Sequence, residues 1–348
     1  RMAQQERKQD MGSGSIPRLM LSLAVPAVVA QLINMLYNIV DRIYIGHIPD
    51  AGASALTGVG LFLPILMMIN AFAMLAGSGG APRAAIAMGK GDRENAQKIL
   101  GNCFSVLMIF AVLLTVLFYL SAPRLLRLFG ASDVTLPYAL SYARIYILGI
   151  VFVMIVMGLN PFITTQGFAK FSMLTTVVGA ICNIILDPIL IFGLGMGVQG
   201  AAIATVLSQA VSAVWVLCFL RGTKTMLRLT GADMRLEAGV ILPCLALGIS
   251  TFVMLSTESI LNISFNSSLS RFGGDVAVGA MTIISSCSQL VTLPLQGICQ
   301  GGQPIMSFNY GAGKRERVKQ AFRCQFTACA GYAALMWILL LTIPQVFA

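Results

Sequence analysis

The sequence predicts an all-α membrane protein. It is built as a two-lobe parallel repeat of six transmembrane helices, and this chain holds spans 1–9 of an expected 12. Three observations predict this. Of 348 residues, 57% are hydrophobic and only 10% are charged, with mean hydropathy +0.85, whereas soluble domains carry about 25% charged residues. Nine apolar stretches, each long enough to cross a bilayer, follow one another with short Gly- and Pro-bearing connections. Several motifs also recur at one fixed offset of 222 residues.

The spans read as 16–46, 53–80, 99–122, 136–159, 169–193, 198–220, 237–267, 275–303 and 319–345. Lysine and arginine orient them. With the N-terminus inside, eighteen fall in inside segments: Arg1, Arg7, Lys8 and Arg18; four in 81–98; Lys170; four in 221–235; and five in 314–323. Only Arg42, Arg124, Arg127 and Arg271 fall outside, and Arg144 lies within a span. That asymmetry predicts a multi-pass protein of the bacterial cytoplasmic membrane with a cytoplasmic N-terminus. The net charge of +10 is therefore a topology signal, and no nucleic-acid partner is expected. The basic start precedes a long span with no small-residue cleavage site, so it reads as a tail and not a signal peptide.

The repeat is specific. Gly79-Gly80-Ala81-Pro82 recurs as Gly301-Gly302-Gln303-Pro304, and Gly89-Lys90-Gly91-Asp92-Arg93-Glu94 as Gly311-Ala312-Gly313-Lys314-Arg315-Glu316. Gly52 and Ala55 pair with Gly274 and Ala277 at the same offset. The unit thus holds six spans, and an even number re-enters on the same side, which makes the repeats parallel. The expected organisation is an N-lobe over 1–221, a cytoplasmic inter-lobe linker over 222–236 and a partial C-lobe over 237–348. A second unit of the same length ends near position 443, so three spans are expected beyond 348.

Span 5 carries the most informative residues. Asn183 and Asp187 are four apart and share a helical face, and Pro188 removes a donor from the Ile184 carbonyl and kinks the helix. An acid at a helix centre costs about 2.5–3.5 kcal/mol on insertion scales. Carboxylate, amide and loosened carbonyl oxygens suit a proton or a hard cation. The plainer alternative is a polar pair that glues helices. Asp41 ends span 1 and is followed by apolar Ile43, Tyr44 and Ile45, which argues for a buried acid over an interfacial one. At offset 222 it maps to Ile263, so its acid has no twin. Pro26 interrupts span 1, as a static kink or as a point where the helix bends when an acid further along is protonated. Glu258 in span 7 is a candidate C-lobe acid, or else a helix–helix hydrogen bond. Gln289, Gln296 and Gln300 recur at mostly helical spacing on span 8, as candidates for lining a wet cavity.

Other chemistry is missing from the sequence. It has no DDxxD acid pair, no phosphate loop and no HExxH, and His47 is the single histidine. An enzyme is not expected. The eight cysteines (103, 182, 218, 244, 287, 299, 324 and 329) form no CxxC pair and read as reduced packing residues, with no disulfide or zinc site.

Four stretches together resemble the MATE (multidrug and toxin extrusion) transporters, in particular the bacterial DinF-like branch. They are Val40-Asp41-Arg42-Ile43-Tyr44-Ile45-Gly46, Asn160-Pro161, Asn183 to Asp187-Pro188, and Gly200-Ala201-Ala202-Ile203-Ala204-Thr205. The resemblance implies two lobes around a central cavity and alternating access. It implies efflux of amphipathic, often cationic drugs in exchange for H+ or Na+, from a protein set among membrane lipids. No cofactor other than that ion is expected, and the protein is expected to be monomeric. The resemblance maps the cation site, including any Na+, onto Asp41, Asn183, Asp187 and Thr205, with Tyr37 and Asn160 as neighbours. Thr205, Tyr37 and Asn160 come from the resemblance alone. The rival readings are a lipid-linked oligosaccharide flippase, which needs a more basic cavity; an intramembrane transferase, which lacks its motifs here; and a channel.

Overall fold

The computed structural model describes residues 11–223 and 225–342, and within 262–287 it describes only some of the side chains. Arg1, Arg7, Lys8 and Lys224 of the topology reading lie outside the described residues, as do residues 343–345 of span 9 and the side chains of Arg271 and Cys287. The described chain is helical, with no strand. Its helices are α1 (Ile16–Gly46), α2 (Gly52–Gly89), α3 (Arg93–Leu128), α4 (Leu136–Leu148), α5 (Ile150–Thr165), α6 (Ala169–Pro188), α7 (Val198–Arg221), α8 (Ala238–Gly311) and α9 (Arg315–Thr342). Among the described residues, seven helices are long and apolar enough to cross a membrane, or eight if α4 and α5 form one bent span.

Two expectations of span geometry are corrected. Span 4 is not one helix ending at 159. It is α4 and α5, bent by 58° at Gly149, and α5 runs through Pro161 to Thr165. A Cβ at Gly149 would lie 2.7 Å from Val206 Cγ2, so the bend sits where α7 leaves no room for a side chain. Spans 7 and 8 are not separated by a loop. Helix α8 is continuous over 74 residues, which would reach about 111 Å if straight. It doubles back instead. Its start lies against the middle of α2, where Gly248 meets Leu75, and its end lies against the end of α2, where Gly311 meets Ile86.

The repeat seen in sequence recurs as reciprocal contacts. A Cβ at Gly89 would lie 2.0 Å from Phe308 O, and one at Gly311 would lie 2.1 Å from Ile86 O; residues 86/308 and 89/311 are twins at offset 222. The twin turns that follow each place a glycine in the left-handed region, Gly91 at φ +81° and Gly313 at φ +72°. Asp92 then caps α3 by accepting from the Asn95 amide at 3.1 Å.

Residues 225–227 are tied to the end of α5 and the start of α3. The buried Gln166 side chain accepts from Thr225 Oγ1 (2.7 Å), Met226 N (2.7 Å) and Leu227 N (2.9 Å). Arg93 donates to Met226 O at 2.7 Å. Replacing Gln166 by leucine removes the acceptor from the Met226 and Leu227 amides and leaves Thr225 Oγ1 only Leu227 O. A loss of about 3 kcal/mol is expected, read as a lower melting temperature, whereas Gln166→Glu keeps the acceptors and costs less.

Candidate functional site

The site forms where α1 and α6 run side by side and α7 closes on α6. Pro188 lacks the N–H that would satisfy Ile184, and the helix changes register there into a π-helical turn, Ile189–Gly193, with Leu194 N donating to Ile189 O at 2.9 Å. The kink expected at Pro188 is thus a π turn. Helix α7 starts against it. A Cβ at Gly200 would lie 2.7 Å from Leu190 O, and Ala201, Ala202 and Ala204 are buried, so small residues set the close approach. Tyr44 near the end of α1 packs edge-on against Phe192 of the turn.

This packing brings Asn183, Asp187 and Thr205 together. Asn183 Nδ2 donates to Asp187 Oδ1 at 3.3 Å and lies 3.4 Å from Thr205 Oγ1, and Thr205 donates to Ala201 O at 3.0 Å. Asn183 is 1% exposed and Asp187 0%. From α1, Asp41 and Tyr37 lie near Asp187. Asp41 Oδ1, Asn183 Oδ1 and Asp187 Oδ2 are buried acceptors that no protein donor satisfies. Leaving such groups unmet is costly. A shared proton, or a hard cation among the oxygens, fits this donor set.

Asn160 donates to Ser172 O of α6 at 3.3 Å, and its Oδ1 is a further buried acceptor that no protein donor satisfies. Pro26 is buried where α1 crosses the second leg of α8, between the contacts Ala24–Gly301 and Val28–Gly297. Glu258 is exposed, on the leg of α8 whose Phe252 packs on Phe72 of α2. Gln289, Gln296 and Gln300 are exposed, and Gln300 Oε1 accepts from Gln31 Nε2 of α1 at 3.3 Å. Sequence reasoning missed Tyr142. It is buried on α4, near Thr205 and Asp41, and packs edge-on against Phe62. Its signal was the pair Tyr142 and Tyr146, four residues apart on one face.

Fold and site define a multi-pass helical membrane protein with paired acids inside the bundle. The MatE family model matches residues 26–189 and 250–348. The chain belongs to the MatE family. It is 24% identical over 302 residues to the multidrug export protein MepA of Staphylococcus saprophyticus, covering 86% of this chain and 66% of that protein. To MepA of Staphylococcus haemolyticus it is 24% identical over 337 residues, covering 96% and 74%. It therefore spans about two thirds to three quarters of the length of these relatives. Two solved structures, each 26% identical, cover 99% of this chain and 76% of their own. One is a multidrug resistance MATE family transporter of the MOP superfamily in an outward-facing conformation, at TM-score 0.90. The other is a MOP superfamily transporter from Pyrococcus furiosus, described as having a binding pocket of reverse polarity that suggests a different function, at TM-score 0.89.

Proposed function

We propose that this chain belongs to a secondary antiporter that expels amphipathic, often cationic compounds in exchange for inward H+ or Na+, by alternating access between two lobes. The observation that carries this reading is the buried Asn183–Asp187–Thr205 cluster facing Asp41, with acceptor oxygens that no protein donor satisfies. The multidrug export relatives support drugs as the substrate class. The first lobe is 1–221, the linker 222–236 and the second lobe begins at 237, with the N-terminus in the bacterial cytoplasm, as the lysine and arginine distribution favours. No catalytic step is assigned. Asp41 lies in the last two turns of α1 and Asp187 at the end of α6, so loading a proton or Na+ between them removes repulsion and lets α1 settle on α6. The loss of negative charge lowers affinity for a cationic drug, so ion and drug favour different states, and that difference drives exchange.

The test uses the intact protein in proteoliposomes with ethidium as cargo. A pure pH gradient and a pure Na+ gradient are applied in turn. Movement under one of them names the ion. Movement under neither, from protein shown to be folded, removes the antiport reading.

A further inference from the structure

The reciprocal geometry extends to the segments that lead into the first helix of each repeat. Met11 and Gly12 are the twins of Asp233 and Met234 at offset 222. Each pair is held through its main-chain carbonyls by side chains of the opposite repeat. Asn102 donates to Asp233 O at 3.3 Å and accepts from Glu237 N at 2.7 Å, and Ser105 donates to Met234 O at 2.6 Å. In the other direction, Asn309 donates to Met11 O at 2.8 Å and Lys314 to Gly12 O at 2.7 Å. Arg317 donates to Ser13 O at 3.1 Å and to Gly14 O at 2.8 Å, and also reaches Met11 O at 3.4 Å. Its third nitrogen, Nε, donates to Asn309 Oδ1 at 3.0 Å, and Asn309 is fully buried, so the fork is aimed.

The two clasps differ in kind. The Asn102 and Ser105 clasp is neutral and joins the large core, to which Ile241 and Cys244 of α8 also belong. The Arg317 and Lys314 clasp uses charged groups at the solvent edge. It sits over a separate small core in which Met11, Leu19 and Leu23 meet Ile305 and Ala321. The start of α1 is thus packed on the second repeat, while its end packs on the π turn that follows α6.

We propose that Arg317, Lys314 and Asn309 form a releasable clasp on the leader Met11–Gly14, which ties the two repeats together on the N-terminal face and has to let go before they part there. The need for release rests on the alternating-access reading; the existence of the clasp does not. It grips main-chain oxygens, so the leader's side chains matter little and the guanidinium fork matters most.

The test introduces Met11→Cys, whose side chain is 4% exposed in the native residue, and follows its modification by a membrane-impermeant maleimide, resolved from the native cysteines by peptide mass spectrometry. In inside-out vesicles, Arg317→Ala is expected to raise the rate about tenfold, and Lys314→Ala, which removes one donor, about threefold. Arg317→Lys falls between wild type and Arg317→Ala. Lys319→Ala, on the same helix but paired with Glu316, leaves the rate unchanged. Equal rates in wild type, Arg317→Ala and Lys314→Ala overturn the clasp. A raised rate in a protein that moves no drug under any gradient leaves the clasp standing and removes the antiport reading.

Discussion

Asp187→Asn is expected to abolish ion-driven efflux, by about a hundredfold or more, while leaving the protein at least as stable as wild type. The two halves of that expectation have one cause. Asp187 is 0% exposed, accepts one hydrogen bond from Asn183, and carries a second oxygen that no protein donor satisfies. A carboxylate in that position costs about 2.5–3.5 kcal/mol on insertion scales, and asparagine removes the charge while keeping the shape and an acceptor for Asn183. If the pair were only glue between α6 and α7, asparagine would serve as well as aspartate and transport would persist. If it is the ion site, asparagine can neither take a proton nor neutralise a cation, and coupling is lost from a sound protein. Transport in proteoliposomes and melting temperature, measured on the same preparation, separate the two. Retained efflux sinks the ion-site reading. Lost efflux together with lost stability points to structure instead. Asp41→Asn is expected to follow Asp187→Asn in transport, because the two acids lie close together.

What could be read from the sequence follows from how local each cause is. The spacing of Asn183 and Asp187 is a property of one helix, and the structure puts both side chains on one face in contact. Pro188 removes a donor wherever it sits, and the helix responds at that residue. The constant offset of 222 marks twin turns at Gly91 and Gly313, which have the same backbone demand. Other features have distant causes. Gly149 is one glycine among many in an apolar run, and only Val206 on α7 shows why the chain bends there. Tyr142 is silent until α4 is laid beside α7. Arg317 and Lys314 counted as topology charges, and their hydrogen bonds to the leader depend on a fold that brings residues some 300 positions apart into contact.

The seam between α2 and α8 is expected to give the largest loss of stability, from Gly79→Val and Gly248→Val. A Cβ at Gly79 would lie 1.9 Å from Cys244 O, and one at Gly248 would lie 1.9 Å from Leu75 O. Both obstacles are backbone, which cannot swing aside, so even a methyl group has to push the helices apart. The same seam carries the edge-on pair Phe72 and Phe252, 5.0 Å between centroids, and separation loosens that contact too. Each substitution is expected to cost about 3 kcal/mol, the upper end of ordinary over-packing, seen as a fall of several degrees in melting temperature. The double variant is expected to cost less than the sum, because helices parted by the first side chain have made room for the second. Gly60 lies on the same helix with nothing within 4 Å of its would-be Cβ. Gly60→Ala there is expected to raise stability by about 0.5–1 kcal/mol, through reduced backbone freedom in the unfolded chain. The opposite signs make the comparison sharp: a helix-propensity effect would move all three glycines the same way, whereas close approach separates them. Were Gly79→Val to melt at or above Gly60→Ala, α2 and α8 would not meet at these two glycines.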